Sequence, residues 1–166
     1  MKVVSKQRNS KMCFICGMDN PIGLKAQFYN MEDGSVLCPF RFRKEDQSFP
    51  FRVHGGLVST MLDEMGLRAV WAKYGEDVYA VTMSIEVKLR RPVPYDEDLI
   101  CYGIITGETS RTYDIESKII DKNGKVLANA KLVYFKASAE QIVGDSVDPH
   151  EEMCYLVEDG VEEINF

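Results

Sequence analysis

One segment of the sequence, residues 54–64, concentrates residue types that could do chemistry. It begins with His54, Gly55 and Gly56 and ends with two adjacent carboxylates, Asp63 and Glu64. If the glycines begin a helix, their backbone N–H groups lie uncovered where unsatisfied donors and the positive end of the helix dipole coincide. A carbonyl oxygen could dock there and be stabilised as it gains negative charge. The alternative is that the glycines only permit a tight entry turn or a close sheet contact.

The two carboxylates differ in their predicted surroundings. Glu64 precedes Arg68 by four residues, which is typical of a surface ion pair. Asp63 has no such helical partner, and its neighbours on the same face are Gly56, Ser59, Thr60, Leu67 and Val70. A carboxylate in semi-apolar surroundings costs free energy unless it is hydrogen-bonded or used in catalysis. Asp63 is therefore either a catalytic group or a satisfied structural acid. It lies about 10 Å from Gly56 along one helix, so an Asp63 from a neighbouring subunit is expected to complete the site.

Other polar residues give weaker indications. His54 could be a general base, although a histidine at a helix entrance more often fixes the turn by hydrogen bonds. Thr82 and Ser84 project from the polar face of a long predicted strand, where one of them could hold a water beside Asp63. Three arginines are more typical of surface charge than of phosphate ligands: Arg90, Arg91 and Arg111. The sequence has no serine-hydrolase elbow, phosphate-binding loop, dinucleotide fingerprint or His-Glu-x-x-His motif.

The elements that must position these residues are one long helix and at least six strands. Helical spacing of apolar residues predicts a helix over 55–73, buried nearly all round, with the stripe Val58, Met61, Leu62, Met65, Ala69 and Ala72. Alternating residues predict a hairpin from 24–28 and 36–42, with Pro39 at an edge or a bulge. They also predict a strand over 79–89, with Tyr79, Val81, Met83, Ile85, Val87 and Leu89 on one buried face. Three further strands follow at 99–106, 112–120 and 126–135, the last two joined by a turn at 121–124.

This order favours an α+β fold with an antiparallel sheet wrapped around a single helix. One sheet and one helix leave apolar faces uncovered, so we expect a homo-oligomer. The 166 residues contain no apolar run long enough to span a membrane, and the N-terminus has no signal-type stretch. These features predict one domain in a cytoplasmic protein.

The charge and the cysteine content argue against some kinds of binding partner and cofactor. The net charge of −6 argues against binding nucleic acid. Residues 137–166 carry nine acidic residues and no Lys or Arg, so we predict a domain over 1–136 followed by an acidic tail. Five cysteines at irregular spacings predict free thiols rather than a disulfide framework. Cys13-x-x-Cys16 could begin a zinc site, but neither histidine lies at ligand spacing, so we expect no metal and no cofactor.

Four motifs, in this order along residues 13–137, resemble the hotdog-fold acyl-CoA thioesterases of the phenylacetic-acid-degradation type (PaaI-like). They are Cys13-Phe14-Ile15-Cys16-Gly17 with Asn20-Pro21-Ile22-Gly23-Leu24; His54-Gly55-Gly56 with Leu62-Asp63-Glu64; Val81-Thr82 with Leu89-Arg90-Arg91-Pro92-Val93; and Asn123-Gly124-Lys125-Val126-Leu127-Ala128. The resemblance implies a hotdog fold, a curved antiparallel sheet around one long helix, in which two subunits join their sheets edge to edge. Dimers in that family often pair into tetramers.

The resemblance also implies roles for individual residues. A thioester carbonyl would dock on the N–H of Gly55, with Gly56 permitting the close approach. Asp63, contributed across the dimer interface, would act as general base or nucleophile, and Thr82 would orient the attacking water. The turn Thr109, Ser110 and Arg111 is similar to one that contacts CoA, and Glu64, Arg90 and Arg91 are further candidate substrate contacts. Relatives often carry Asn or Gln shortly before the histidine, where this sequence offers only Ser48.

The leading hypothesis is hydrolysis of acyl-CoA to a carboxylic acid and free CoA. Two alternatives are a hotdog-type enoyl thioester dehydratase or hydratase, and a non-catalytic acyl-CoA-binding or scaffold protein. The Asp63-Glu64 pair and the Gly55-Gly56 turn favour hydrolysis. The acyl group, and the choice between CoA and an acyl-carrier protein, are not specified by the sequence.

Overall fold

The computed structural model describes residues 1–144 and 148–165. Asp145, one of the acidic residues of the predicted tail, lies outside the described residues. The chain forms a seven-stranded antiparallel sheet that packs on one long helix, α1. A separate two-stranded sheet precedes that helix. The described residues contain no helix long and apolar enough to cross a membrane.

Helix α1 spans Gly55–Tyr74 and confirms the prediction to within one residue. His54 caps its first turn, and Gly75 ends it with a φ of 91°, a conformation that favours glycine. The predicted apolar stripe lies in the core, except that Ala72 is only partly buried.

The main sheet contains seven strands: β1 Val3–Lys6, β2 Tyr29–Met31, β3 Val36–Phe40, β6 Tyr79–Leu89, β7 Leu99–Glu108, β8 Thr112–Asp121 and β9 Val126–Ala137. Their order across the sheet is β1-β2-β3-β7-β8-β9-β6. The helix packs across one face of the sheet and contacts β3 and β6–β9. β4 Gln47–Phe49 and β5 Arg52–Val53 form the small hairpin before α1. The last four long strands appear where predicted, and the β8–β9 turn has Gly124 at a φ of 75°.

A β-bulge in β6 changes which residues face the helix. Thr82 lies opposite Tyr134 of β9, whereas Ser84 lies opposite Val133, so Met83 is the extra residue. Side chains after the bulge therefore change face relative to a regular strand. Thr82 shares the helix-facing side with Ile85, Val87 and Leu89, which pair with Leu132, Ala130 and Ala128. The prediction that Val81 shares a face with these residues is wrong, and so is the pairing of Ser84 with Thr82.

β6 is an edge strand, and the prediction of one fully buried face is wrong for it. Of its eleven residues, only Ala80 is buried, and Met83 is 67% exposed. Its outer side has no neighbouring strand in the sheet order. The backbone groups on that side can therefore pair with another strand.

The predicted strand at 24–28 is also wrong. Lys25 has a φ of 54°, and the N–H of Ala26 donates to the carbonyl of Ile15 instead of to a ladder partner. The segment thus bonds to the N-terminal residues, and pairing with β3 starts only at β2. Pro39 lies beyond the two residues of β3 that pair with β2, as expected for a residue that cannot donate.

The described parts of the acidic segment return to the N-terminus. The short helices α2 Ala139–Val143 and α3 Pro149–Glu152 are followed by a chain that pairs locally with residues before β2. Ile164 is 5% exposed and exchanges backbone hydrogen bonds with Met1. Asp159 accepts from Lys6 and from the hydroxyl of Tyr29.

Candidate active site

The N-terminus of α1 offers one open backbone donor. The N–H of Gly56 donates to Nδ1 of His54 at 3.0 Å, whereas the N–H of Gly55 has no partner among the described residues. The prediction that both glycine donors are uncovered is therefore wrong for Gly56. His54 acts through this cap and is itself exposed. A single N–H at the positive end of a 20-residue helix remains for a carbonyl oxygen.

An open cavity of about 340 Å³ borders Gly55. Ser48, Arg90 and Arg91 line it together with the side chain of Leu89. The fold therefore brings four predicted site residues together here, namely Gly55 and these three polar residues. Arg90 Nε donates to Asn129 at 2.5 Å, and Arg91 donates to the Val126 carbonyl at 3.0 Å. Both guanidinium groups stay exposed, which leaves donors free for an anionic ligand.

Asp63 lies in the middle of α1, against the edge of the sheet. Its Oδ1 accepts from the Thr82 hydroxyl at 2.9 Å and from the Tyr134 hydroxyl at 3.1 Å. Its Oδ2 has no hydrogen-bond partner among the described residues. Two neutral donors therefore orient the carboxylate and leave one oxygen available. The bulge at Met83 is what turns Thr82 toward this carboxylate.

Sequence reasoning missed Tyr134, whose single hydroxyl proton is shared between Asp63 Oδ1 and the Asp63 backbone carbonyl, the carbonyl being the nearer acceptor at 2.6 Å. Burial and the nearby Asp63 charge raise the pKa of Tyr134, so it remains a protonated donor. Its ring lies against Gly66, where a Cβ would come within 2.1 Å of Tyr134 Cε2. A glycine inside a helix often marks such a close approach, and Gly66 was the one available signal for this contact.

A second open cavity, of about 520 Å³, borders Asp63 and is mostly apolar. The lining includes Leu67, Trp71, Tyr79, Ala80, Val81, Thr82, Tyr134, Ile142, Val143 and Met153. Ile142 and Val143 belong to α2, so the segment after β9 contributes to the wall. The cavity has room for an apolar group next to the free carboxylate oxygen.

Glu64 also lines this cavity, but its charge is paired. Its Oε1 accepts from Arg68 Nε at 2.9 Å. The expected i,i+4 pair is present, yet Arg68 is 1% exposed, so the prediction of a surface pair is wrong. The Arg68 guanidinium stacks on the rings of Phe28 and Trp71, which supports its burial.

The turn Thr109, Ser110 and Arg111 lies apart from Gly55. It joins β7 to β8 beside the C-terminal end of α1, where Glu108 accepts from Tyr74. The Thr109 hydroxyl accepts the N–H groups of Arg111 and Thr112, so the turn is internally bonded. Within one chain, this turn and the Gly55 cavity occupy opposite ends of the helix.

A family model and several solved structures are similar to this chain. The thioesterase superfamily model matches residues 52–128, a stretch that includes Gly55, Asp63 and Thr82. A crystal structure of a thioesterase superfamily protein has a TM-score of 0.69 at 22% identity. That match covers 75% of this chain and 60% of the other. The chain has a hotdog-type fold.

The descriptions of two other structural neighbours mention a ligand or an operon. A hypothetical thioesterase protein with coenzyme A from Streptococcus pneumoniae TIGR4 has a TM-score of 0.61 at 18% identity, covering 68% of this chain and 86% of that one. The E. coli PaaI protein of the phenylacetic acid degradation operon has a TM-score of 0.62 at 15% identity, covering 69% and 81%. No curated protein matches this chain.

Proposed function

We propose that this chain hydrolyses acyl-CoA thioesters to a carboxylic acid and free CoA. The observation that carries the proposal is the Asp63 carboxylate, whose Oδ1 is held by Thr82 and Tyr134 and which borders an apolar cavity. The neutral hydroxyl donors orient the carboxylate without placing a cation beside it. The match of the thioesterase superfamily model over 52–128 supports the choice of substrate class.

In the proposed reaction, the thioester carbonyl accepts the Gly55 N–H. Asp63 either takes a proton from a water that attacks the carbonyl carbon or attacks it directly. In the second case, water hydrolyses the acyl-enzyme anhydride. The carbonyl oxygen becomes negative in the tetrahedral intermediate, and the N–H at the helix N-terminus stabilises that charge. The C–S bond then breaks, the CoA sulfur leaves as a thiolate that takes up a proton, and the carboxylic acid is released.

We infer that Gly55 and Asp63 of one site come from different subunits. Eight residues separate them on α1, or about 12 Å, which is too far for both to act on one carbonyl. The edge strand β6 carries Thr82 and has no neighbour on its outer side, so two copies can join there. A homodimer, or a dimer of such dimers, would bring the Gly55 cavity of one copy to the Asp63 cavity of the other.

CoA would enter on the Gly55 side, where Arg90 and Arg91 provide exposed cations for its phosphates. Ser48 and Arg52 are the other polar side chains at this cavity. In a dimer or tetramer, Thr109, Ser110 and Arg111 could meet CoA bound by another copy. The apolar cavity beside Asp63 would take the acyl group, with Trp71 and Tyr79 among its walls.

The first test is thiol release from short, medium, aromatic and long acyl-CoAs by the wild type and by Asp63→Asn. The variant keeps an oxygen that accepts from Thr82 and Tyr134 but lacks the basic carboxylate. We therefore expect a folded protein whose turnover is lower than that of the wild type by about 100-fold or more. Enzyme-only blanks correct for the chain's own five cysteines. Unchanged turnover in the variant would overturn the assignment of Asp63, and absence of release would favour binding without catalysis.

The second test removes the Gly55 donor with Gly55→Pro. Proline is tolerated at the first helical position, and His54 has the extended conformation (φ −63°, ψ 130°) that a residue before proline requires. We expect turnover to fall by about 100-fold. Gly55→Ala is the matched control, because it meets the same Leu89 side chain but keeps the N–H. Equal losses in the two variants would contradict the proposed oxyanion site.

Mixing tests the shared site. Asp63→Asn and Gly55→Pro are each expected to be nearly inactive as homodimers. After mixing and subunit exchange, a heterodimer has one site with both defects and one intact site. Recovery of turnover is expected, and failure to recover while exchange is verified by mass spectrometry would place both groups in one chain.

A further inference from the structure

The N-terminal Cys13-x-x-Cys16 motif folds into a tight turn around its first sulfur. Cys13 Sγ accepts the backbone N–H groups of Ile15 at 3.3 Å and Cys16 at 3.5 Å. Gly17 is required by this turn, since a Cβ there would come within 2.4 Å of the Cys13 carbonyl oxygen. Metals bind cysteine as the thiolate.

Cys16 lies on the inner side of the turn and is buried. Its Sγ accepts the N–H of Ser10 at 3.4 Å and lies 3.3 Å from the Ser10 hydroxyl. Both sulfurs therefore make hydrogen bonds to polar groups of the turn or of Ser10. Cys38 and Cys101 are also buried, but they lie on strands of the main sheet and do not belong to the turn.

The fold adds a third donor that the sequence spacing does not reveal. Glu64 Oε2 lies 3.9 Å from Cys13 Sγ, and one ligand atom from each of Cys13, Cys16 and Glu64 lies within 4.8 Å of the others. Tetrahedral Zn²⁺, with bonds of about 2.3 Å to sulfur and about 2.0 Å to oxygen, needs ligand atoms about 3.5 to 4 Å apart. Small side-chain shifts would meet that requirement.

Arg68 provides the outer support that metal ligands usually have. It donates to Glu64 Oε1, which fixes the carboxylate and leaves Oε2 toward the sulfurs. Two thiolates and a carboxylate bind a divalent cation with one negative charge remaining, and the buried Arg68 guanidinium neutralises it. The charges of the metal ion, its three ligands and the buried Arg68 would thus sum to zero.

We propose that Cys13, Cys16 and Glu64 bind a Zn²⁺ ion, with solvent at the fourth position. Thiolate ligands select soft or borderline metals such as zinc over magnesium and calcium. The ion would tie the N-terminal segment to α1 at the residue next to Asp63. This site is independent of thioester hydrolysis, and loss of either property would leave the other testable.

The test uses Co²⁺ as a spectroscopic probe of the full chain, reduced and freed of metal by a chelator. We expect about one Co²⁺ per chain with a thiolate-to-cobalt charge-transfer band, displaced by Zn²⁺. Cys13→Ser should lose most of the band intensity. Cys154→Ser, at the exposed cysteine outside the cluster, should keep it. A band that survives Cys13→Ser, or that needs Cys154, would overturn the proposal.

A second measurement does not depend on a variant that folds. X-ray absorption of the zinc-loaded wild type, after removal of excess metal, should show about two sulfur ligands near 2.3 Å and lighter ligands near 2.0 Å. A shell of nitrogen and oxygen alone, or no zinc retained after gel filtration, would refute the site. In that outcome the two cysteines are simply packed thiols beside an ordinary Glu64–Arg68 ion pair.

Discussion

Asp63 and Glu64 are adjacent on α1 and border the same cavity, yet their hydrogen-bond partners differ in charge. Asp63 faces the sheet edge, where neutral hydroxyls from β6 and β9 hold one of its oxygens. Glu64 faces the N-terminal segment, where a buried guanidinium and a thiol surround it. Consecutive residues on a helix point about 100° apart, so one step along the chain brings different elements within hydrogen-bond distance.

The difference shows how environment separates two chemically similar groups. Among the described residues, hydroxyls hold Asp63 Oδ1 and no ion pair competes for it, which suits the proposed role as base or nucleophile. The charge of Glu64 is instead used to keep Arg68 buried. We therefore expect Asp63 to matter most for turnover and Glu64 most for stability.

The largest expected effect on stability comes from Glu64→Gln. It leaves the Arg68 charge buried without an anionic partner, and we expect a loss of about 3 kcal/mol in the free energy of unfolding. Asp63→Asn, whose partners are neutral, should lose less than about 1 kcal/mol. Urea denaturation of both variants, reduced and with chelator present to remove any metal contribution, measures the contrast.

A double variant identifies the cause of that loss. If the cost of Glu64→Gln is the unpaired charge, Arg68→Met should make the second substitution much less costly, because an apolar group then fills the site. Additive losses, or an Asp63→Asn loss equal to that of Glu64→Gln, would contradict the division of roles between the two carboxylates.

Much of the fold follows from local patterns in the sequence. Helical spacing in 55–73 and alternation in the four later strands predict α1 and β6–β9 closely, because these elements are long and regular. The N-terminal third was predicted less well. The 24–28 segment alternates like a strand, but its donors bond to residues near Ile15, and such long-range pairing has no local signal.

The site divides in the same way. Gly55 and Asp63 stand out by residue type and by helix position alone. Tyr134 lies 71 residues from Asp63 along the chain, and the bulge that turns Thr82 inward depends on pairing between β6 and β9. Similarly, Cys13 and Glu64 are 51 residues apart, so a search for close cysteine or histidine pairs misses their contact.

Gly66→Ala tests how tightly the Asp63 side is packed. The added Cβ would meet Tyr134 Cε2 at 2.1 Å, so the ring must move, and we expect a loss of about 2 kcal/mol despite the better helix propensity of alanine. Urea denaturation measures the loss. Because the ring causes the clash, Gly66→Ala should cost little in a Tyr134→Val background; an unchanged cost there would point to another contact.

The smallest effect is expected from Tyr134→Phe, which keeps the ring against Gly66 and removes only the hydroxyl. Asp63 then keeps Thr82 but loses its second donor, and about 1 kcal/mol of orientation corresponds to a roughly fivefold lower turnover.

Tyr113→Phe is the matched control, since Tyr113 pairs with Tyr134 across β8 and β9 but packs on Tyr74 instead of bonding Asp63. We expect Tyr113→Phe to leave turnover with a medium-chain acyl-CoA near the wild-type value. If both variants lose turnover equally, the loss reflects general packing of the sheet. If Tyr134→Phe alone loses turnover, the Tyr134 hydroxyl helps to position the Asp63 carboxylate. The surroundings of Asp63 then differ from those of Glu64 in this hydroxyl donor.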